Sequence, residues 1–261
     1  MKKHLDSFIT IGLISLFTLS CSHNAAPPPE SAAPANPALI SEAIAKADAL
    51  FGQREDVGKL REAVQTLANV RNPDARNFEV EWKYAMYNYF LGKQLTDEKE
   101  SDKAFTNGAE AAQIARRLAP DKPDGYFWYA ANLGEQADRS PITVGIKSID
   151  DIRQAMKKVI EIQPDYQGAS AFDALGQLEL QTETVGGDPK KAVEYLEKGV
   201  EIEKDNSYLR LHLAQAYLET GRKADAKKQL EYILQMKPDS EYAVEYKETA
   251  ADAKKLLETK F

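Results

Sequence analysis

Residues 207–238 read SYLRLHLAQAYLETGRKADAKKQLEYILQMKP, and their pattern decides the fold. Leu209, Leu213, Ala214 and Tyr217 recur three and four apart, the spacing that sets side chains on one helical face. Gly221 interrupts that face at the point where the chain must reverse, and glycine adopts positive φ there without a Cβ clash. Ala226, Leu230 and Ile233 define a second apolar face, which Pro238 closes. Ala214 and Ala226 are small enough to let the two helices approach closely. The stretch predicts a helix, a tight turn and a second helix, a unit that needs neighbours to cover its apolar faces.

The same logic recurs upstream. Phe172, Leu175, Gly176 and Leu180 mark one first helix, and Ala192, Leu196 and Gly199 mark its second. Between them, Gly186-Gly187-Asp188-Pro189 reads as turn glycines, an N-cap aspartate and a proline in the first helical turn. It is a cap and not a phosphate loop, because no lysine and hydroxyl residue follow at the required spacing. Trp128 and Ala131 with Ile152, Met156, Val159 and Pro164 form a third pair. Trp82, Ala85 and Tyr89 with Gly108, Ala112, Ala115 and Pro120 form a fourth. The weakest unit covers residues 44–73, with Leu50, Ala63, Leu67 and Val70 on apolar faces. Extended connections are expected over residues 92–102 and 138–148, and residues 142–146, the main strand candidate, are too few to found a sheet. After Pro238, the stripe Tyr242, Tyr246, Ala250, Ala253 and Leu257 predicts a capping helix.

This organisation resembles the tetratricopeptide repeat, a helix-turn-helix unit of about 34 residues. The resemblance implies an all-α superhelix of about five helix pairs plus a C-terminal capping helix, occupying residues 39–261. Arg210 departs from the pattern, since the family usually has a bulky residue there.

The start of the chain reads differently. Lys2 and Lys3 precede an apolar run over residues 8–19, shorter than the about 20 residues of a membrane span and of the right length for a signal-peptide core. Leu19 and Ser20 before Cys21 resemble the cleavage box of bacterial lipoproteins, although Thr18 stands where the box usually carries leucine. The resemblance implies a lipoprotein signal peptide at 1–20 and lipidation of Cys21, with ordinary signal-peptidase cleavage as the alternative. Residues 21–38 are rich in proline and alanine and hold no large apolar side chain, so they read as a tether, a PxxP-type recognition peptide being the alternative.

Composition removes several chemistries. One cysteine and three histidines give no intramolecular disulfide, no zinc site of usual stoichiometry and no Cys–His nucleophile in the repeat body. A net charge of −7 argues against nucleic acid as a partner. No G-x-S-x-G, H-E-x-x-H, G-x-G-x-x-G or Walker A pattern occurs. A two-carboxylate glycosidase has no such motif and stays open as a minor class. The expectation is a binding protein and not an enzyme, with no catalytic residue, no cofactor and no metal site.

Several features together resemble the TatT component family of tripartite ATP-independent periplasmic (TRAP) transporters, periplasmic tetratricopeptide lipoproteins. They are the leader, Ala47, Leu50 and Phe51 in a first helix, the block Tyr126-Phe127-Trp128-Tyr129 with Asn132-Leu133-Gly134, and Gly186-Gly187-Asp188 before Ala192. That resemblance implies a lipid-anchored protein of the bacterial cell envelope, facing the periplasm or extracytoplasmic space. It also implies partnership with a periplasmic solute-binding protein, trimerisation and a ligand-sized cavity. The alternative is a generic repeat scaffold for cell-envelope assembly, a protein–protein interaction module without a small-molecule ligand.

Eight aromatics crowd two predicted first helices, and four in succession on one helix cannot all face the core. With Trp82 and Trp128 as packing anchors, the expected ligand or partner groove is lined by Tyr87, Phe90, Tyr126, Tyr129, Asn132 and Leu133. The plain alternative is core packing between pairs, with Asn132 hydrogen-bonding a connecting loop. Arg139, Ile142 and Val144 are candidates for a flap over that groove, or for a packed long loop. His212, between Leu211 and Leu213, is expected to be a packing or surface residue.

Overall fold

The structure, a computed structural model, describes residues 36–237 and 243–261. The expected signal peptide at 1–20, Cys21 and most of the expected tether lie outside the described residues, as do Pro238 and Tyr242. Among the described residues the chain is helical throughout, with no strand.

Five pairs follow one another: α1 (Pro37–Phe51) with α2 (Val57–Ala68), α3 (Phe78–Gln94) with α4 (Glu98–Leu118), and α5 (Asp124–Arg139) with α6 (Ile146–Ile162). Then come α7 (Tyr166–Gln181) with α8 (Pro189–Ile202), α9 (Ser207–Glu219) with α10 (Lys223–Gln235), and finally α11 (Ala243–Lys260). This is the expected superhelix of five pairs and a terminal helix. It starts two residues inside the expected tether, because Asn36 caps α1 and Pro37 occupies its first position, where a missing N–H costs nothing.

The local signals act as read. Asp188 accepts a hydrogen bond from the Lys190 amide at 2.9 Å and Pro189 opens α8. Gly186 and Gly221 sit at φ 110° and 76°, the left-handed backbone that glycine tolerates. Asn77, Asp97 and Asn206 cap α3, α4 and α9 in the same way.

Two connections differ from expectation. Residues 95–97 alone separate α3 from α4, since Asp97 caps α4 and Glu98 and Glu100 stand in its first turn, where acidic groups favour the helix N-terminus. Ser101 donates to the Gly92 carbonyl at 2.6 Å, and Gly92 lies against the Phe105 ring, so both ends of the expected loop are helix. Likewise, α5 runs to Arg139 and a single π-helical turn (Pro141–Gly145) leads directly into α6. There the amides of Val144 and Gly145 both donate to the Ser140 carbonyl. The strand candidate at 142–146 is therefore helical. A third feature had no sequence signal: α7 opens with Gln167, Gly168 and Ala169 in left-handed backbone, and Asn206 Nδ2 donates to the Gly168 carbonyl at 2.7 Å.

Packing follows the pairs. One core cluster runs from α1 to Leu178 of α7, and a second from Ala169 of α7 to Ala253 of α11. Ile160 and Tyr195 pack against both, so the apolar interior is handed from repeat to repeat as in other solenoids. Where α1 meets α3, α3 meets α5, α7 meets α9 and α9 meets α11, the helices that open each pair, with α11 in the next such place, touch one another. They form the inner face.

Candidate functional site

Tyr87 and Phe90 lie toward α1. Tyr87 is 1% exposed, stacks on Phe51 with centroids 4.4 Å apart, and donates its hydroxyl to Asp48. Burial and the Asp48 carboxylate push its pKa far up. Lys83 completes this contact, with Nζ 2.7 Å from Asp48 Oδ2. Phe90 meets Phe51 at 5.2 Å and Trp128 at 6.0 Å, Trp128 meets Phe127 at 5.0 Å, and Phe127 meets Tyr166 at 5.4 Å. These rings form a continuous spine through α1, α3, α5 and α7. Most of the aromatic excess is thus consumed in packing one pair on the next, with edge-to-face contacts worth about 0.5–1.5 kcal/mol each.

Tyr126 and Tyr129 lie elsewhere. The Arg116 guanidinium of α4 covers the Tyr129 ring at 4.1 Å, and Tyr129 Oη is 3.4 Å from Asp151 of α6. Burial and Asp151 raise its pKa against the opposing pull of Arg116. Tyr126 donates to the Pro120 carbonyl at 3.3 Å. Tyr129 therefore lies between α4 of the preceding pair and α6 of its own, and Tyr126 reaches back to the connection before α5, while Leu133 packs at the margin of the first core cluster. Asn132 is 0% exposed, and its Nδ2 donates to the carbonyls of Ala85 and Trp128, at 3.2 and 2.7 Å. It tethers α5 to α3, and a Cβ on Gly108 of α4 would collide with its side-chain amide. The six residues do not line one groove, and Asn132 bonds a neighbouring helix, not a connecting loop.

Tyr84 and Trp128, not Trp82 and Trp128, occupy matching places: four residues on, the Asn88 and Asn132 side-chain amides donate back to their carbonyls at 2.8 and 2.7 Å. Arg139 and Val144 do not form a flap. Arg139 ends α5, with Nη1 3.5 Å from Asp102 and its guanidinium 5.1 Å from the Phe105 ring, and Val144 belongs to the π-helical turn. The Ile142 side chain lies outside the described residues. Two shallow hollows of about 330 and 340 Å³ lie beside α1 and beside the end of α10, and neither is lined by an expected groove residue.

What the inner face does present is a ladder of polar contacts between successive first helices. After Lys83–Asp48 comes Lys93 of α3 with Glu135 of α5, at 2.8 Å. Burial and the neighbouring Glu135 raise the pKa of Asp138, against Lys93. Tyr89 is pushed far up by burial, with Glu135, Tyr208 and Asp173 adding to the effect, so α3, α5, α7 and α9 face a common space. His212 of α9 sets Nδ1 2.7 Å from Asp173 Oδ1 of α7, and Tyr208 stacks over its ring. His212, expected to be a packing or surface residue, is thus half of a hydrogen-bonded contact between repeats. Gln177 donates to the other Asp173 oxygen at 2.8 Å.

Two buried ionic groups escaped the sequence reading. Glu81 is 0% exposed and receives Arg71 and Arg76, at 2.7 and 2.9 Å. Its signal was the even spacing Arg71, Arg76, Glu81 across a connection, which becomes legible only once the turn is known. Arg210, the departure from the repeat pattern, is nearly buried, with its guanidinium 3.5 Å from the Tyr232 ring centroid and bonds to the Lys204 carbonyl and Gln229. The flat guanidinium replaces the usual bulky side chain by stacking.

Among the described residues no group of three or more His, Cys, Asp or Glu is arranged to hold a metal ion. No described helix is long and apolar enough to cross a membrane.

Residues 43–260 match the model of a family described as regulator of microtubule dynamics protein 1-3. Regulator of microtubule dynamics protein 3 of Mus musculus is 25% identical over 213 residues, covering 75% of this chain and 44% of that protein. The Rattus norvegicus protein of the same name is 25% identical over 186 residues, covering 65% and 39%. The chain thus spans less than half the length of these relatives. Being mammalian proteins named for microtubule dynamics, they correct the expected location as a lipid-anchored bacterial envelope protein. Among solved structures, TTC0263, a thermophilic TPR protein of Thermus thermophilus, aligns with TM-score 0.62 at 16% identity, over 83% of this chain and 100% of that one. Pseudomonas aeruginosa pilF aligns with TM-score 0.50 at 18% identity, over 85% and 93%. At such identities these two establish the tetratricopeptide-like fold alone.

Proposed function

Because the chain belongs to the regulator of microtubule dynamics protein 1-3 family, we propose that it is a non-catalytic helical scaffold that holds protein partners on its inner face and thereby acts on microtubule dynamics. The observation that carries this reading is the family match from within α1 to the end of α11, over a tetratricopeptide-like stack. The inner face supports it physically. Its rungs, Lys83–Asp48, Lys93–Glu135 and His212–Asp173, fix neighbouring first helices against one another, so a partner meets a surface ordered in advance. The finer expectation of a TRAP-transporter accessory, trimeric and paired with a solute-binding protein, has no support in a family of another name, and the expected groove is not assembled.

Co-sedimentation of the purified chain with microtubules tests the reading. A saturable pelleting fraction is expected, reduced by Gln177→Ala with Glu248→Ala on the inner side and unchanged by Glu194→Ala with Glu201→Ala on α8. Equal effects of both pairs would remove the inner face from the proposal.

A further inference from the structure

We propose that His212 and Asp173 form a proton-controlled latch between the fourth and fifth helix pairs, closed when His212 is protonated and loosened when it is neutral. The pair joins α9 to α7 at 2.7 Å, with both side chains largely buried. From α7, Gln177 Nε2 also donates to Asp173. On α9 itself the Tyr208 ring lies 6.1 Å from the imidazole, and its hydroxyl donates to Glu248 of α11 at 3.3 Å. From α11, Asp252 acts on His212 by its charge. From α3, Tyr89 faces Asp173 and Tyr208 but stays neutral, its pKa being far above the ordinary value. The charges that act on His212 are Asp173 and Asp252, both negative.

A nearly buried carboxylate is costly without a counter-charge. The protonated imidazole supplies one; the neutral ring still donates Nδ1–H to Asp173 but leaves it uncompensated. Burial opposes protonation of His212, yet the charge and hydrogen bond of Asp173, helped by Asp252, outweigh it and raise the pKa above its ordinary value. A raised folded-state pKa gives stability that is complete below the unfolded value of about 6.5 and is lost as pH climbs through the folded value. The latch is therefore closed in mild acid and weakens as pH climbs through the raised folded value, loosening α9 to α11 from the rest of the stack.

NMR titration of the imidazoles in the full chain tests this, with His212→Gln identifying the signal among those of His4 and His23. The His212 midpoint is expected above about 6.5, and Asp252→Asn, an exposed change that leaves folding intact, is expected to lower it. Hydrogen exchange corrected for intrinsic rates supplies the second readout. Opening of α9 to α11 is expected to rise about fivefold or more between about pH 6 and pH 8.5, with α3 and α4 unchanged. A midpoint at or below about 6.5, or an equal pH response in His212→Gln, overturns the proposal.

Discussion

Tyr87 and Tyr129 look interchangeable in the sequence, each an aromatic on the opening helix of a pair, but their surroundings make them different residues. Tyr87 is closed in by Phe51 and Asp48 of α1, whereas Tyr129 lies under Arg116 beside Asp151. Tyr87→Ala is expected to cost about 3 kcal/mol and Tyr129→Ala at most about half of that, measured by urea unfolding. Comparable losses would contradict the difference in their surroundings. Glu81 makes the stronger case. Glu81→Ala leaves Arg71 and Arg76 facing each other without their shared carboxylate, and a loss of about 3 kcal/mol or more is expected in the same assay. The tyrosine contacts could not be read from spacing, because each partner lies on another element, and α3 and α5 carry aromatics on too many sides for periodicity to select a face.

The helices themselves were legible for local reasons. Their termini carry their own chemistry, Asp188 before Pro189 and Gly221 at the reversal, and their faces repeat with the helical period in the last two pairs. Gly221→Ala places a Cβ on backbone at φ 76° and is expected to destabilise the fifth pair by about 1–2 kcal/mol, while Asp188→Ala, removing one cap bond, costs about 1 kcal/mol. Thermal melts followed by circular dichroism rank the two; a neutral Gly221→Ala would refute the turn geometry. Connections were harder to read. Asp97, Glu98 and Glu100 fall inside the extended connection expected over residues 92–102, although they are what start α4. The π-helical turn before α6 had no distinguishing residue pattern at all.

At the scale of the molecule, stability is shared between neighbours, because each pair buries its open face on the next. The last pair depends on α11, where Thr249 and Ala253 are fully buried and Tyr246 donates to the Ile233 carbonyl at 2.9 Å. Truncation after residue 237 is expected to raise hydrogen exchange in α9 and α10 well before α3 and α4 respond, and uniform loss of protection would argue for a single cooperative unit instead. In the proposed function the stack acts through its shape, with the inner-face rungs holding that shape. The growth and catastrophe rates of dynamic microtubules, observed by fluorescence microscopy with and without the purified chain, test that claim most directly. A dose-dependent change that the inner-face pair Gln177→Ala with Glu248→Ala abolishes is the predicted result. Rates that stay unchanged at saturating chain would contradict it.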